Sequence, residues 1–161
     1  MGSAWTLENP RHIIGKVRLQ TRRLELRPFG PADVEAFETF ARTEAYRRFL
    51  GDGHPDPPEF VANNLGKDGA WVIEIDQRVV GSVFLDDELA FLVDPSMHRM
   101  GIATEAARAV IADGFERRGY DHVVARANPR NIASVRTLAR LGFLAGNDGT
   151  YRLDRTDWEP P

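Results

Sequence analysis

The chain has 161 residues and a formal net charge of −3, with 42% apolar and 28% charged side chains. That length suits one domain of ordinary size, and such a chain buries roughly 70% of its surface, enough for a core without staples. The acidic balance argues against a nucleic-acid binder, which carries a basic excess. The absence of cysteine excludes disulfides, thiolate catalysis and cysteine-based zinc sites. No apolar run is long enough to span a bilayer, and residues 1–14 have no signal-peptide layout, so neither a membrane nor a nucleic-acid partner is expected and the expected location is the cytoplasm. Only Lys16 and Lys67 are lysine among the basic residues, which reads as coding bias.

Residues 1–20 read as an N-terminal extension, and residues 21–158 as a single domain with no repeat or linker. Thr21 to Phe29 alternates Leu24 and Leu26 with charged residues, the pattern of a half-buried strand. Gly30-Pro31 starts a helix, with proline suited to the first helical position, and Val34, Phe37, Phe40 or Ala41, Ala45 and Phe49 form its apolar stripe. Residues 51–58, GDGHPDPP, cannot hold regular structure, and a short helix follows over Glu59 to Leu65. Strands are expected at Ala70 to Asp76, Val79 to Leu85 and Glu88 to Val93, joined by short turns into an antiparallel meander. A helix runs from the HRMGIATEA segment to near Arg118, stopped by Gly119. His122 to Ala127 is a strand and Asn131 to Leu141 a helix stopped by Gly142. A hairpin across Asp148-Gly149 pairs Phe143 to Asn147 with Thr150 to Leu153. The helix between strands 88–93 and 122–127 is a crossover, so those two strands are expected to be parallel in an otherwise antiparallel sheet.

Two segments carry candidate chemistry. In His98-Arg99-Met100-Gly101-Ile102-Ala103-Thr104 a helix start leaves amides without partners and carries partial positive charge. Gly101 and Ala103 allow an anion close to the backbone, Thr104 adds a hydroxyl, and His98 and Arg99 flank the mouth, which suits a phosphate. The segment alone is read equally well as a tight turn packed on a sheet. No GxxxxGK[ST] pattern exists, which excludes a P-loop. The second segment is 128–143, NPRNIASVRTLARLGF. Asn131 and Ser134 share one face of a helix start; Asn131 is also explained as an N-cap, and Ser134 as a surface hydroxyl. Val135, Leu138 and Leu141 are core positions.

Together, and in this order of elements, the segments resemble the GNAT superfamily of acyl-CoA-dependent N-acyltransferases, and within it the RimJ/RimL-like branch. The Q/R-x-x-G-x-G/A signature stands as His98 to Ala103, followed by Ala-Thr-Glu-Ala. The N-x-x-S and L-G-F signature stands as Asn131, Ser134 and Leu141-Gly142-Phe143. TRRLELRPF with Asp33, and YRLDRTDW near the end, also resemble the branch, so the likeness covers about residues 20–158. His98 departs from the family's Gln or Arg.

The resemblance implies a mixed α+β fold, with a mostly antiparallel sheet of about seven strands splayed between 88–93 and 122–127 and about four flanking helices. It implies acetyl-CoA as cosubstrate, no metal, and transfer of acetyl to a primary amine, of a protein N-terminus or a small molecule, by direct attack in a ternary complex (EC 2.3.1.-). Its pantetheine arm would pair near Leu92 and Val93 and its pyrophosphate would sit on Met100 to Thr104, with His98 and Arg99 at the mouth. Asn131 would contact the arm near the thioester, Ser134 would protonate the departing thiolate, and Arg136 or Arg140 would reach the adenosine end; a solvated helix face explains both arginines equally. Glu88, on the strand leading to this segment, is the candidate base, directly or through water; a solvent-facing charge is its plain alternative. His54 is either part of the acceptor pocket or an exposed loop histidine. A lysine amine is only about 0.04% neutral at pH 7 and an α-amine roughly a tenth neutral, so a lysine or polyamine acceptor asks more of a base. A non-catalytic acyl-CoA-binding module on the same fold, or a scaffold that binds no CoA, are the alternatives. Homodimers are common in such families.

Overall fold

In the computed structural model, residues 17–44, 46–47 and 53–160 are described. The expected positions Ala45 and Phe49 lie outside them, as do residues 1–16 of the extension. The sheet begins with β1 (Leu19–Gln20) and β2 (Glu25–Arg27). A 3-10 turn, Pro31–Asp33, leads into α1 (Val34–Ala41), and α2 spans Pro57–Asn64. The meander is β3 (Ala70–Ile75), β4 (Arg78–Leu85) and β5 (Leu89–Val93). After a second 3-10 turn, Pro95–Met97, come α3 (Ile102–Glu116), β6 (His122–Arg126), α4 (Ile132–Arg140), β7 (Leu144–Ala145) and β8 (Thr150–Asp154).

The eight strands form one sheet in the order β1-β2-β3-β4-β5-β6-β8-β7. All neighbours are antiparallel except β5 and β6, which are parallel, as the crossover requires. The strand beyond the expected seven is β1, which pairs Leu19 with Leu26 inside the segment read as an extension. Two residues are too few for alternation to show. Helix α2 also starts earlier than expected, inside the proline-rich stretch. Asp56 caps it by accepting the Glu59 amide, and Pro57 and Pro58 occupy the first turn, where a missing N–H costs nothing.

Two apolar clusters cover the two faces of the sheet. On one, Ile102, Ala106, Val110, Ile111 and Phe115 of α3, Leu138 of α4 and its C-cap Leu141 pack on Val83, Leu85, Leu89 and Val123. On the other, Phe37 and Phe40 of α1 and Phe60 and Val61 of α2 pack with Phe29 and Val72. Of the stripe expected of α1, Phe37 and Phe40 are buried and Val34 and Ala41 half-buried; of the core positions expected in the 131–141 helix, Leu138 and Leu141 are buried and Val135 is half-buried. The ion pairs Arg27–Asp33 and Arg27–Glu74, both 2.7 Å, fasten the start of α1 to β2 and β3.

Candidate active site

The cleft originates where β5 meets β6. These strands pair at a single register position, Leu89 with Ala125, and separate beyond it. On its other side β5 stays registered with β4 from Leu89 to Val93. The Asp94 amide donates to the Val80 carbonyl over 2.7 Å, so the alternation of an antiparallel ladder turns the Val93 amide toward β6, into the gap. Val93 therefore presents its backbone to the opening, whereas the backbone of Leu92, also expected to pair with the arm, turns the other way, to Ser82 of β4. The Leu92 side chain packs toward the α1–α2 face and that of Val93 toward the α3 face.

At the end of β5 the chain turns into α3 through residues 94–101. Arg99 takes φ +66° and Gly101, the N-cap of α3, φ +73°. Left-handed backbone at a non-glycine residue is uncommon and clusters at functional sites, and such turns gather amides into an anion-binding concavity. Among the described residues, the amides of Met100, Gly101, Ile102, Ala103 and Thr104 meet no protein acceptor, and no side chain caps the helix. Ile102 buries its side chain in the core and offers only its backbone. Met100 is exposed, and Ala103 and Thr104 are half-buried. His98 Nε2 lies 3.0 Å from the Val93 carbonyl; a carbonyl only accepts, so the ring N–H donates and ties the loop back to the strand.

Across the gap, Asn131 is the N-cap of α4, its side-chain oxygen accepting the Ser134 amide at 3.2 Å. The capping reading is thus correct, and it leaves the Asn131 Nδ2 amide group without a partner among the described residues. Ser134 is half-buried, and its hydroxyl has no hydrogen-bond partner among the described residues. Arg136 is exposed, whereas the Arg140 carbonyl is engaged by Arg108. Glu88 stands in the bend before β5 and is ion-paired with Arg126 at 2.6 Å, with 38% of its side chain exposed. Arg126 to Pro129, with Asp148 and Gly149, line an open cavity of about 610 Å³ beside this pair. His54 is not a free loop histidine: its ring packs 5.8 Å from Tyr46 and 5.2 Å from Phe60, and its Nδ1–H donates to the Pro55 carbonyl.

An acetyltransferase (GNAT) domain model matches residues 23–144. The chain belongs to the GNAT acetyltransferase family. It is 22% identical over 140 residues to the uncharacterized N-acetyltransferase YnaD of Bacillus subtilis strain 168, covering 79% of this chain and 82% of that one. Its fold is similar to that of a GNAT acetyltransferase from Bacillus anthracis, with a TM-score of 0.77 at 21% identity over 86% of this chain and 98% of that one. It is also similar to Mycobacterium smegmatis RimJ in complex with CoA-disulfide, with a TM-score of 0.72 at 19% identity over 89% and 87% of the two chains.

Two residues that shape this GNAT site escaped the sequence reading. Gly81 of β4 lies so close to β5 that a Cβ there would stand 2.1 Å from the Leu92 carbonyl oxygen. The missing side chain lets β5 lean on β4, the side away from β6. Arg23 donates through Nη1 to the Met100 carbonyl at 2.8 Å and through Nε to Glu105 at 2.6 Å. Among the described residues, no group of histidine, aspartate and glutamate is placed to hold a metal ion, and no helix is long and apolar enough to cross a membrane.

Proposed function

We propose that this chain moves an acetyl group from acetyl-CoA to a primary amine, of a protein N-terminus or a small molecule, by direct attack in a ternary complex, in the manner of the RimJ/RimL-like branch. The observation that carries this reading is the row of unpartnered amides from Met100 to Thr104 at the start of α3, set where β5 has just parted from β6. GNAT acetyltransferases use acetyl-CoA, and the residues present fit it. Left-handed turns at Arg99 and Gly101 and a helix dipole favour the pyrophosphate, and the open edge of β5 beyond Leu89 offers backbone to an amide-bearing arm.

The chain's own groups then divide the chemistry. The Val93 amide, turned into the gap, donates toward a carbonyl that gains negative charge. The Asn131 Nδ2 amide group is left to donate to the arm near its thioester. Ser134 keeps an uncommitted hydroxyl to protonate a leaving thiolate. Glu88 accepts the proton lost by the amine, through water, with Arg126 holding its carboxylate in place. Much of the rate follows from holding the two reactants together.

The test mixes the protein with acetyl-CoA and a panel of α-amines, lysine amines and polyamines, and measures released thiol. Amine-dependent thiol release is expected, stronger for α-amines, which need less of a base. CoA binding with no turnover on any amine would make the chain a non-catalytic acyl-CoA module. If CoA gives no thermal shift, the CoA reading fails, since a ligand bound only by the folded state must raise its stability.

A further inference from the structure

Arg23 belongs to none of the segments that bear the ligand signatures, yet it converges on the loop that would hold the pyrophosphate. It stands in the bend between β1 and β2. Its Nη1 donates to the Met100 carbonyl at 2.8 Å, and its Nε donates to one Glu105 oxygen at 2.6 Å. The other Glu105 oxygen accepts the Arg23 amide at 3.0 Å and the Thr21 hydroxyl at 2.6 Å. The remaining guanidinium nitrogen, Nη2, has no acceptor among the described residues. It lies 3.5 Å from the point where a Cβ on Gly101 would stand.

Two consequences follow from elementary geometry. The peptide between Met100 and Gly101 is planar, so its C=O and N–H point in opposite directions. Holding the carbonyl toward Arg23 therefore aims the Gly101 amide the other way. Glu105, in the first turn of α3, would alone place a carboxylate where the helix dipole should attract a phosphate. With both oxygens drawn to the β1–β2 bend and their charge balanced by Arg23, it does not compete.

We propose that Arg23 is a positioning residue for the pyrophosphate: it orients the Met100–Gly101 peptide, holds Glu105 off the anion, and leaves one guanidinium nitrogen beside the loop. This rests on the CoA reading above, and the test separates the two. Calorimetry on the full chain compares CoA with pantetheine, which keeps the arm and lacks the pyrophosphate and nucleotide. For Arg23→Gln, CoA affinity is expected to fall about tenfold, the size of one lost charge-assisted hydrogen bond, with pantetheine affinity unchanged. Arg23→Lys, which keeps the charge and one contact, should show a smaller fall in the same ratio and serves if the glutamine variant does not fold. Equal losses for both ligands, or no loss for CoA, would overturn the role of Arg23 while leaving the CoA site standing. A wild-type chain that binds no CoA overturns both.

Discussion

Gly81 is the residue on which the shape of the cleft turns most directly. A Cβ at 2.1 Å from the Leu92 carbonyl oxygen is impossible without movement, and the contact is backbone, which cannot swing aside. In Gly81→Ala, β5 must shift off β4, and the way open to it is toward β6, into the gap. The expected cost is about 1–3 kcal/mol, the range for overpacking, read as a lower urea midpoint at unchanged slope, together with weaker CoA binding. Normal CoA affinity in the folded variant would show that the cleft width is set elsewhere. Nothing in the sequence singles out this glycine, because it sits inside VVGSVFL, where alternation says only that a strand is present. Gly101 was legible for the opposite reason: it stands between a strand and a helical pattern, where a left-handed residue is needed. Arg23 was not legible, since its partners Met100 and Glu105 lie 77 and 82 positions away, and spacing along a chain carries no information at that range.

Elements were legible wherever their period ran long enough. The meander, the crossover helix and the final hairpin stand where apolar spacing and the Asp148-Gly149 turn put them. Short elements, β1 and the first turn of α2, depend on pairing and capping instead. Asn131 shows that a capping reading and a functional one need not compete, since the cap uses its oxygen and leaves the side-chain amide N–H2. The join between β1–β2 and α3 has its own pH signature. Burial raises the Glu105 pKa, but hydrogen bonds from Thr21 and Arg23 and the charge of Arg23 outweigh it and hold the carboxyl below its usual value. A depressed folded-state pKa means that the unfolded chain takes up the proton first. The contribution of Glu105 is therefore full above about pH 4.3, its ordinary range, and is lost as pH falls through the folded value. Glu105→Gln should be less stable than wild type at pH 7, with the gap closing below about pH 4. Urea unfolding across pH reads this out, and a gap that stays constant would mean the carboxylate charge contributes nothing.

At the scale of the molecule, the sheet is two parts meeting at one pair of residues. Strands β1 to β5, with α1 and α2, make one part; β6, β7 and β8, with α4, make the other. Between β5 and β6 only Leu89 and Ala125 are in register, so α3, packed on β4, β5 and α4, carries the connection through the cluster of Ile102, Ala106, Val110 and Leu138. Such a joint is strong in apolar contact and poor in backbone hydrogen bonds. Its amides should open locally at lower free energy than those of the β3–β4 pairing. A ligand seated in the gap would give both sides partners they lack. Saturation to about 100 Kd would then add about 2.7 kcal/mol to the folded state, and hydrogen exchange locates where. With CoA, exchange should slow at the Val93 amide and at Met100 to Thr104, and change little in the β2–β3 ladder. Slowing spread evenly over the whole sheet would indicate general stabilisation without a ligand in the cleft. Slowing confined to the cavity lined by Arg126 to Pro129, Asp148 and Gly149 would place CoA away from the start of α3, and the amides of α3 would then be left without the anion that their arrangement invites.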